Sequence, residues 1–342
     1  MPLKQAKWII TLVIMLLMLL AAMYLHLTSG VFTMSSTEVF KTLLRIESTP
    51  NFDLVIFDLR LPRIITAALV GMGLAMAGVV LQGITKNALA DPGIIGINAG
   101  AGCAIVIFMY FFQVELIDVE INSLVKILIV PIFGFVGGAL AAAIILFMSY
   151  KYGRMDMQKL ILTGIAINTG FSALTLFWSL KMDENDYQAA AIWMNGSIYN
   201  SNWYFVSAML PWLLILGFYI YRKAYILDYF QLEEETILSL GISLEKEKIK
   251  LLLATVGLVS ACVSVSGSIG FIGLMAPHIA RQLVGIYHRY LMPVSLLVGA
   301  ILLVFSDYVA KSLFAPVELS VGIVVSIIGI PYFLYLLVKA KG

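Results

Sequence analysis

The chain has 342 residues, of which 61% are hydrophobic and only 12% charged, and its formal net charge is +2. A soluble globular domain carries about 25% charged residues, so this chain has too little polar surface to face water on all sides, and lipid must cover much of it. The small, dispersed charge carries no nucleic-acid signature. Only two cysteines are present, Cys103 and Cys262, each inside an apolar run. They read as small core residues rather than a disulfide framework or a thiolate metal site.

The first element follows Lys4 and Lys7 and runs from Trp8 to about Leu27. It is longer than the apolar stretch of a signal peptide and long enough to cross a hydrocarbon core of about 30 Å, so it reads as a retained transmembrane helix. Further helices are expected at about 62–84, 94–112, 124–148, 160–180, 203–221, 249–267, 270–286, 292–310 and 319–338. The connections are short except for 29–61 and 222–248. Leu251 to Pro277 carries no charge, but Gly267, Gly270 and Gly273 interrupt it, with Ser264, Ser266 and Ser268 interleaved. That pattern favours two spans with a break between them. The second of these carries Pro277, His278 and Arg281, which lipid would not tolerate, so protein should wall it in.

Charge asymmetry selects ten spans. With both termini cytoplasmic, 15 of the 22 Lys and Arg lie inside, whereas nine spans would leave 13 there; the positive-inside bias prefers ten. The expectation is one all-α, polytopic membrane domain over 1–342. Small residues recur four apart, at Gly73/Ala77, Gly96/Gly100, Gly134/Gly138 and Gly322/Ser326, a spacing that lets helices approach closely in lipid.

Catalytic patterns are missing from the sequence. It has no G-x-x-x-x-G-K-[ST] phosphate loop, no G-x-S-x-G elbow and no H-E-x-x-H pair. His26, His278 and His288 are scattered and do not suggest a metal centre. The spans are nearly free of acid, which argues against ion coupling. Asp307 is the exception. It lies near a helix end, four residues before Lys311, and the expectation is a partly exposed pair between the two.

The polar features left over gather on two faces. On the outer face, Arg60-Leu61-Pro62-Arg63 opens the second span. Two arginines three apart at a membrane edge can snorkel or receive the acidic groups of a soluble partner. On the inner face, Leu232-Glu233-Glu234-Glu235-Thr236 runs on to Leu240-Gly241. Leu232, Thr236 and Leu240 fall on one stripe of a short helix, the acids sit at its N-terminal end, and Gly241 is placed to stop it. Such a helix is either a plain surface element or a lever for another protein.

Taken in order, several motifs resemble the FecCD-type permease family. They are Arg60-Leu61-Pro62-Arg63, the run Gly71-x-Gly73-Leu74-Ala75-x-Ala77-Gly78, and Gln82-Gly83 followed by Lys86-Asn87-x-Leu89-Ala90-Asp91-Pro92 and Gly96. Later come Gly267-x-x-Gly270-Phe271-Ile272-Gly273-Leu274 with Pro277, His278 and Arg281, then Pro316-x-Glu318 and Gly329-x-Pro331-Tyr332-Phe333. The match covers essentially the whole chain. It implies the ten-helix permease of an ATP-driven importer for iron-siderophores, haem or cobalamin, in the bacterial cytoplasmic membrane. A second permease chain, cytoplasmic ATPase subunits and an extracytoplasmic binding protein are the implied partners, and no cofactor is implied. The resemblance assigns Arg60, Arg63 and Lys311 to docking of the binding protein, with Lys311 standing where arginine is usual. It assigns residues 232–241 to ATPase coupling and Met157 with Gln158 to a cytoplasmic gate. Pro277, His278 and Arg281 are family motif residues without an assigned role. Trp193-Met194-Asn195-Gly196-Ser197-Ile198 resembles a stretch common in siderophore permeases and inclines the reading towards a ferric siderophore, with haem, cobalamin or an ion-coupled secondary transporter as alternatives.

Overall fold

The computed structural model describes residues 2–30, 32, 34–46, 49–117, 123–151, 154–232, 243–314 and 317–339. Helix α1 (Pro2–Thr28) leads to a short α2 (Ser36–Leu43), which Ser35 and Glu38 close with a reciprocal capping box. Helix α3 (Pro50–Asp53) runs through a π-helical turn at Leu54–Arg60 straight into α4 (Leu61–Thr85). The next long pair is α5 (Ile97–Ile117) and α6 (Ser123–Ser149). A two-residue antiparallel ladder, Tyr150–Lys151 with Arg154–Met155, turns the chain into α7 (Met157–Ser179), whose first N–H groups are capped by Asp156. Then come α8 (Glu184–Met194), α9 (Trp203–Arg222) and α10 (Ala224–Tyr229). The chain ends with α11 (Leu244–Ser266), α12 (Ile272–Val284), α13 (His288–Ser312) and α14 (Val321–Lys339).

Among the described residues, eight helices are long and apolar enough to cross a membrane. Helices α5 and α12 complete the ten-element bundle. At 13 residues, α12 spans only about 20 Å, so it starts inside the bundle rather than at a membrane face. The chain reaches it through a break at Gly267–Phe271, where both Gly267 and Phe271 have positive φ. As expected, protein walls this element in, with Ile272 through Pro277 all buried.

Burial identifies the centre. In α4, 89% of the apolar stretch is buried and in α11 78%, against 11% in α1. Helix α4 packs on α13, α11, α12 and α9. Its contact with α13 is set by Gly71 and Gly299, where a Cβ on either would run into the other's backbone carbonyl. Gly100 of α5 and Gly137 of α6 meet in the same way. With lipid on both sides there is no hydrophobic gain from helix association, so close backbone packing has to supply it. Both cysteines are free and buried.

Candidate functional site

Helix α4 has 25 residues and is therefore about 37 Å long. Arg60 and Arg63 lie at its start and Lys86 at its end, on opposite faces of the bundle.

At the start, four segments bring charge together: the end of α1, the start of α4, the end of α13 and the strap before α14. Arg63 donates from Nε to Asp307 Oδ2 at 2.7 Å and from Nη2 to Oδ1 at 2.8 Å, and its Nη1 reaches Glu318 Oε2 at 2.7 Å. His26 Nε2 lies 2.6 Å from Asp307 Oδ2. Arg60 donates to the backbone carbonyls of Leu27 and Phe32. Lys311 and the Arg60 guanidinium both lie against Gly30. Lys311 has no hydrogen-bond or ion-pair partner among the described residues. Relative exposure is 5% for Arg60, 7% for Arg63, 8% for Lys311 and 1% for Asp307. A planar guanidinium gripping a carboxylate with two prongs is the geometry that makes such burial tolerable. Arg60, Arg63 and Lys311 face two anions, Asp307 and Glu318, and the cations without an acid of their own are Arg60 and Lys311.

Two expectations change here. Asp307 is not a partly exposed partner of Lys311; it is buried, and its partners are Arg63 and His26. The end of α13 packs against α1 and α4, which turns Asp307 inward, and a two-pronged arginine holds a carboxylate better than a flexible lysine on the same helix. Nor do the arginines snorkel, since internal acceptors hold both. No sequence signal pointed to His26 as a partner, since it lies 281 residues from Asp307.

Within the bundle, a cavity of about 690 Å³ opens between α5, α7, the end of α8, the Gly267–Phe271 break and α14. Its wall includes Asp91, Asn98, Asn168, Trp193, Phe271 and Phe333. Asp91 caps the short turn Pro92–Ile95, accepting from Gly93 N at 2.8 Å. Among the described residues its other oxygen has no partner, and neither has Asn98 Oδ1. Burial pushes the Asp91 carboxyl up to about 6. The Trp193–Ile198 stretch forms one end of this wall. Gly196 carbonyl accepts from Gly322 N at 3.0 Å, and a Cβ on Gly322 would strike the Asn195 carbonyl. The stretch thus ties α8 to the start of α14, and Trp193 faces the cavity.

At the other end of α4, Gln231 Nε2 donates to the Gly83 carbonyl at 3.2 Å and Lys86 Nζ to the Leu232 carbonyl at 3.0 Å. Asp228 Oδ1 accepts from His288 N at 2.9 Å and lies 2.7 Å from its Nδ1. The segment 224–232 is therefore clamped to α4 and α13. Leu232 is exposed; Glu233, Glu234, Glu235, Thr236, Leu240 and Gly241 lie outside the described residues. Met157 is half-buried and Gln158 exposed at the start of α7. His278 Nδ1 meets the Tyr332 hydroxyl at 2.6 Å. Arg281 donates to Gln82 Oε1 at 3.2 Å, and Gln82 Nε2 donates to the Gly273, Leu274 and Ala90 carbonyls. Gln82, unremarked in the sequence beyond its motif, thus joins α4, the cavity floor and α12.

The FecCD transport family model matches residues 16–339. The iron-uptake system permease protein FeuC of Bacillus subtilis is 49% identical over 95% of this chain and 96% of its own. The iron(3+)-hydroxamate import system permease protein FhuG of the same organism is 41% identical over 99% of each chain. A solved structure described as an inward-facing conformation of a metal-chelate type ABC transporter matches with a TM-score of 0.80 at 30% identity, covering 96% of this chain and 98% of that one. The chain described here is a member of the FecCD transport family.

Proposed function

We propose that this chain is the permease subunit of an ATP-binding-cassette importer that moves a ferric siderophore across the bacterial cytoplasmic membrane by alternating access. The observation that carries the reading is spatial: a positively charged cluster and a clamped segment lie at opposite ends of α4, with a cavity of about 690 Å³ between the two faces. An extracytoplasmic binding protein docks at Arg60, Arg63 and Lys311. ATPase subunits grip residues 232–241 on the cytoplasmic face, where both termini also lie, and Met157 and Gln158 act at the cytoplasmic gate. Pro277, His278 and Arg281 hold α12 against α4 and α14.

A second permease chain completes the path, because Ile165 and Leu176 of α7 line the cavity and are exposed. The chain carries out no bond chemistry; its residues bind, seal and move. The siderophore assignment draws on the iron-uptake and iron-hydroxamate permeases it is similar to. Ion coupling finds little support, since Asp307 is held in a structural pairing with Arg63 and His26. The test is uptake of radiolabelled ferric siderophore by cells carrying Lys311→Glu. Uptake should fall to a small fraction of the wild-type rate, and an unchanged rate would remove Lys311 from the docking face.

A further inference from the structure

Arg63, one of the cations meant to receive a partner, is only 8% exposed at its side chain and already uses three of its five N–H groups within this chain. Its Nε, Nη1 and Nη2 all donate to acids of this chain. With so little of the guanidinium exposed, a partner's carboxylate gains access to it most directly where one of those acids leaves. We infer that Glu318 is a placeholder: when the binding protein docks, an acidic side chain of that protein replaces Glu318 on Arg63, while Asp307 stays.

The two acids are held very differently. Asp307 takes two prongs from Arg63 and a third contact from His26, and its side chain is 1% exposed. Glu318 takes a single contact, and its side chain is 20% exposed. Removing Asp307 would bare a buried cation and orphan His26, whereas removing Glu318 returns one carboxylate to water. The surroundings favour a replacement. Arg60 meets only backbone carbonyls and Lys311 has no partner among the described residues, so departure of Glu318 leaves a deficit of negative charge that an incoming acid fills. Tyr199 stacks on the Arg63 guanidinium, with 5.6 Å from its Cζ to the ring centre, and keeps the fork aimed while the acids exchange.

The exchange has a structural consequence. Glu318 sits on the strap that leads into α14, otherwise held by Leu319 N on the Ala310 carbonyl at 3.4 Å and Gly322 N on the Gly196 carbonyl. Release of Glu318 loosens the entry to α14, whose Phe333 lines the cavity. The occupied outer face is thereby signalled to the path.

This inference rests on the docking reading, and the experiment separates the two. The complete complex is placed in lipid nanodiscs, and its affinity for the extracytoplasmic binding protein required for uptake is measured for Glu318→Gln, Lys311→Gln and Glu184→Gln. Glu184 is an exposed acid in the first turn of α8 and controls for removal of a negative charge in general. Gln at 318 is isosteric and still accepts a hydrogen bond from Arg63; Glu318→Ala is run beside it, with melting curves for each. The expected result is that Glu318→Gln tightens binding by roughly tenfold, Glu184→Gln leaves it nearly unchanged and Lys311→Gln weakens it. Unchanged or weaker binding in both Glu318 variants, with Lys311→Gln still weakening it, overturns the exchange and makes Glu318 a structural strut. Equal tightening by Glu184→Gln overturns it too, in favour of general electrostatics. No effect of Lys311→Gln defeats the docking reading itself.

Discussion

Asp307 is the residue on which the outer cluster turns. It holds Arg63 with two prongs and meets His26, all nearly out of contact with water. Replacing one member of such a buried set leaves a charge without its partner, at a cost of about 3–5 kcal/mol. Asp307→Leu should therefore lower the melting temperature of the purified complex markedly; an unchanged melt would mean that the set contributes little. Asp91 behaves differently. Burial raises its carboxyl to about 6, above the ordinary carboxylate range of about 4, so the unfolded chain ionises first as pH rises. Burial therefore costs nothing below about pH 4, where the carboxyl is neutral in both states, and stability is lost as the cost builds between about pH 4 and 6. Asn can still cap the Pro92 turn, so Asp91→Asn should stabilise the protein at pH 7 and do nothing at pH 4, as melts at the two pH values would reveal. At this scale the sequence was only half legible. The clustering of Arg60, Arg63 and Lys311 could be read, because the first two share a motif and the third a family position. The true partner of Asp307 could not, because i,i+4 spacing suggests Lys311 while the packing of α1 and α4 around α13 decides for His26 and Arg63.

The element that joins the two faces is α4, and segment 224–232 is fastened to its far end. Gln231 on Gly83, Lys86 on Leu232 and Asp228 on His288 clamp segment 224–232 to α4 and α13. Lys86, in a left-handed conformation, also begins the loop that carries Asp91 to the cavity. If residues 232–241 are pushed by an ATPase, this clamp carries the push to the cavity floor. Lys86→Met should therefore leave ATP hydrolysis largely intact while lowering siderophore transported per ATP several-fold, and Lys86→Arg should restore the ratio. Equal loss of both activities would mark Lys86 as merely structural. The long helices were legible from apolar length and from the charges between them. Helix α12 was legible too, because glycines interrupt an uncharged run. Helices α8 and α10 were not, since short polar helices carry little periodicity and are held by tertiary contacts such as Gly196 with Gly322 and Asp228 with His288.

At the scale of the whole molecule, the bundle is well packed at its centre and apolar on its flanks. Helices α4 and α11 form the interior, whereas in α7 only 17% of the apolar stretch is buried. On the proposed reading, lipid covers part of that surface and a second permease chain the part beside the cavity. Native mass spectrometry of the complex should find two permease chains per particle, and a particle with one would contradict this. Composition alone placed the chain in a membrane. Its motifs placed it in a family, and the fold adds a cavity between two polar clusters. The most direct test is transport in proteoliposomes containing the permease layer, its ATPase and the binding protein, loaded with radiolabelled ferric siderophore. The predicted result is accumulation that requires ATP on the ATPase side and persists when proton and sodium gradients are collapsed. Accumulation driven by either gradient without ATP would contradict it.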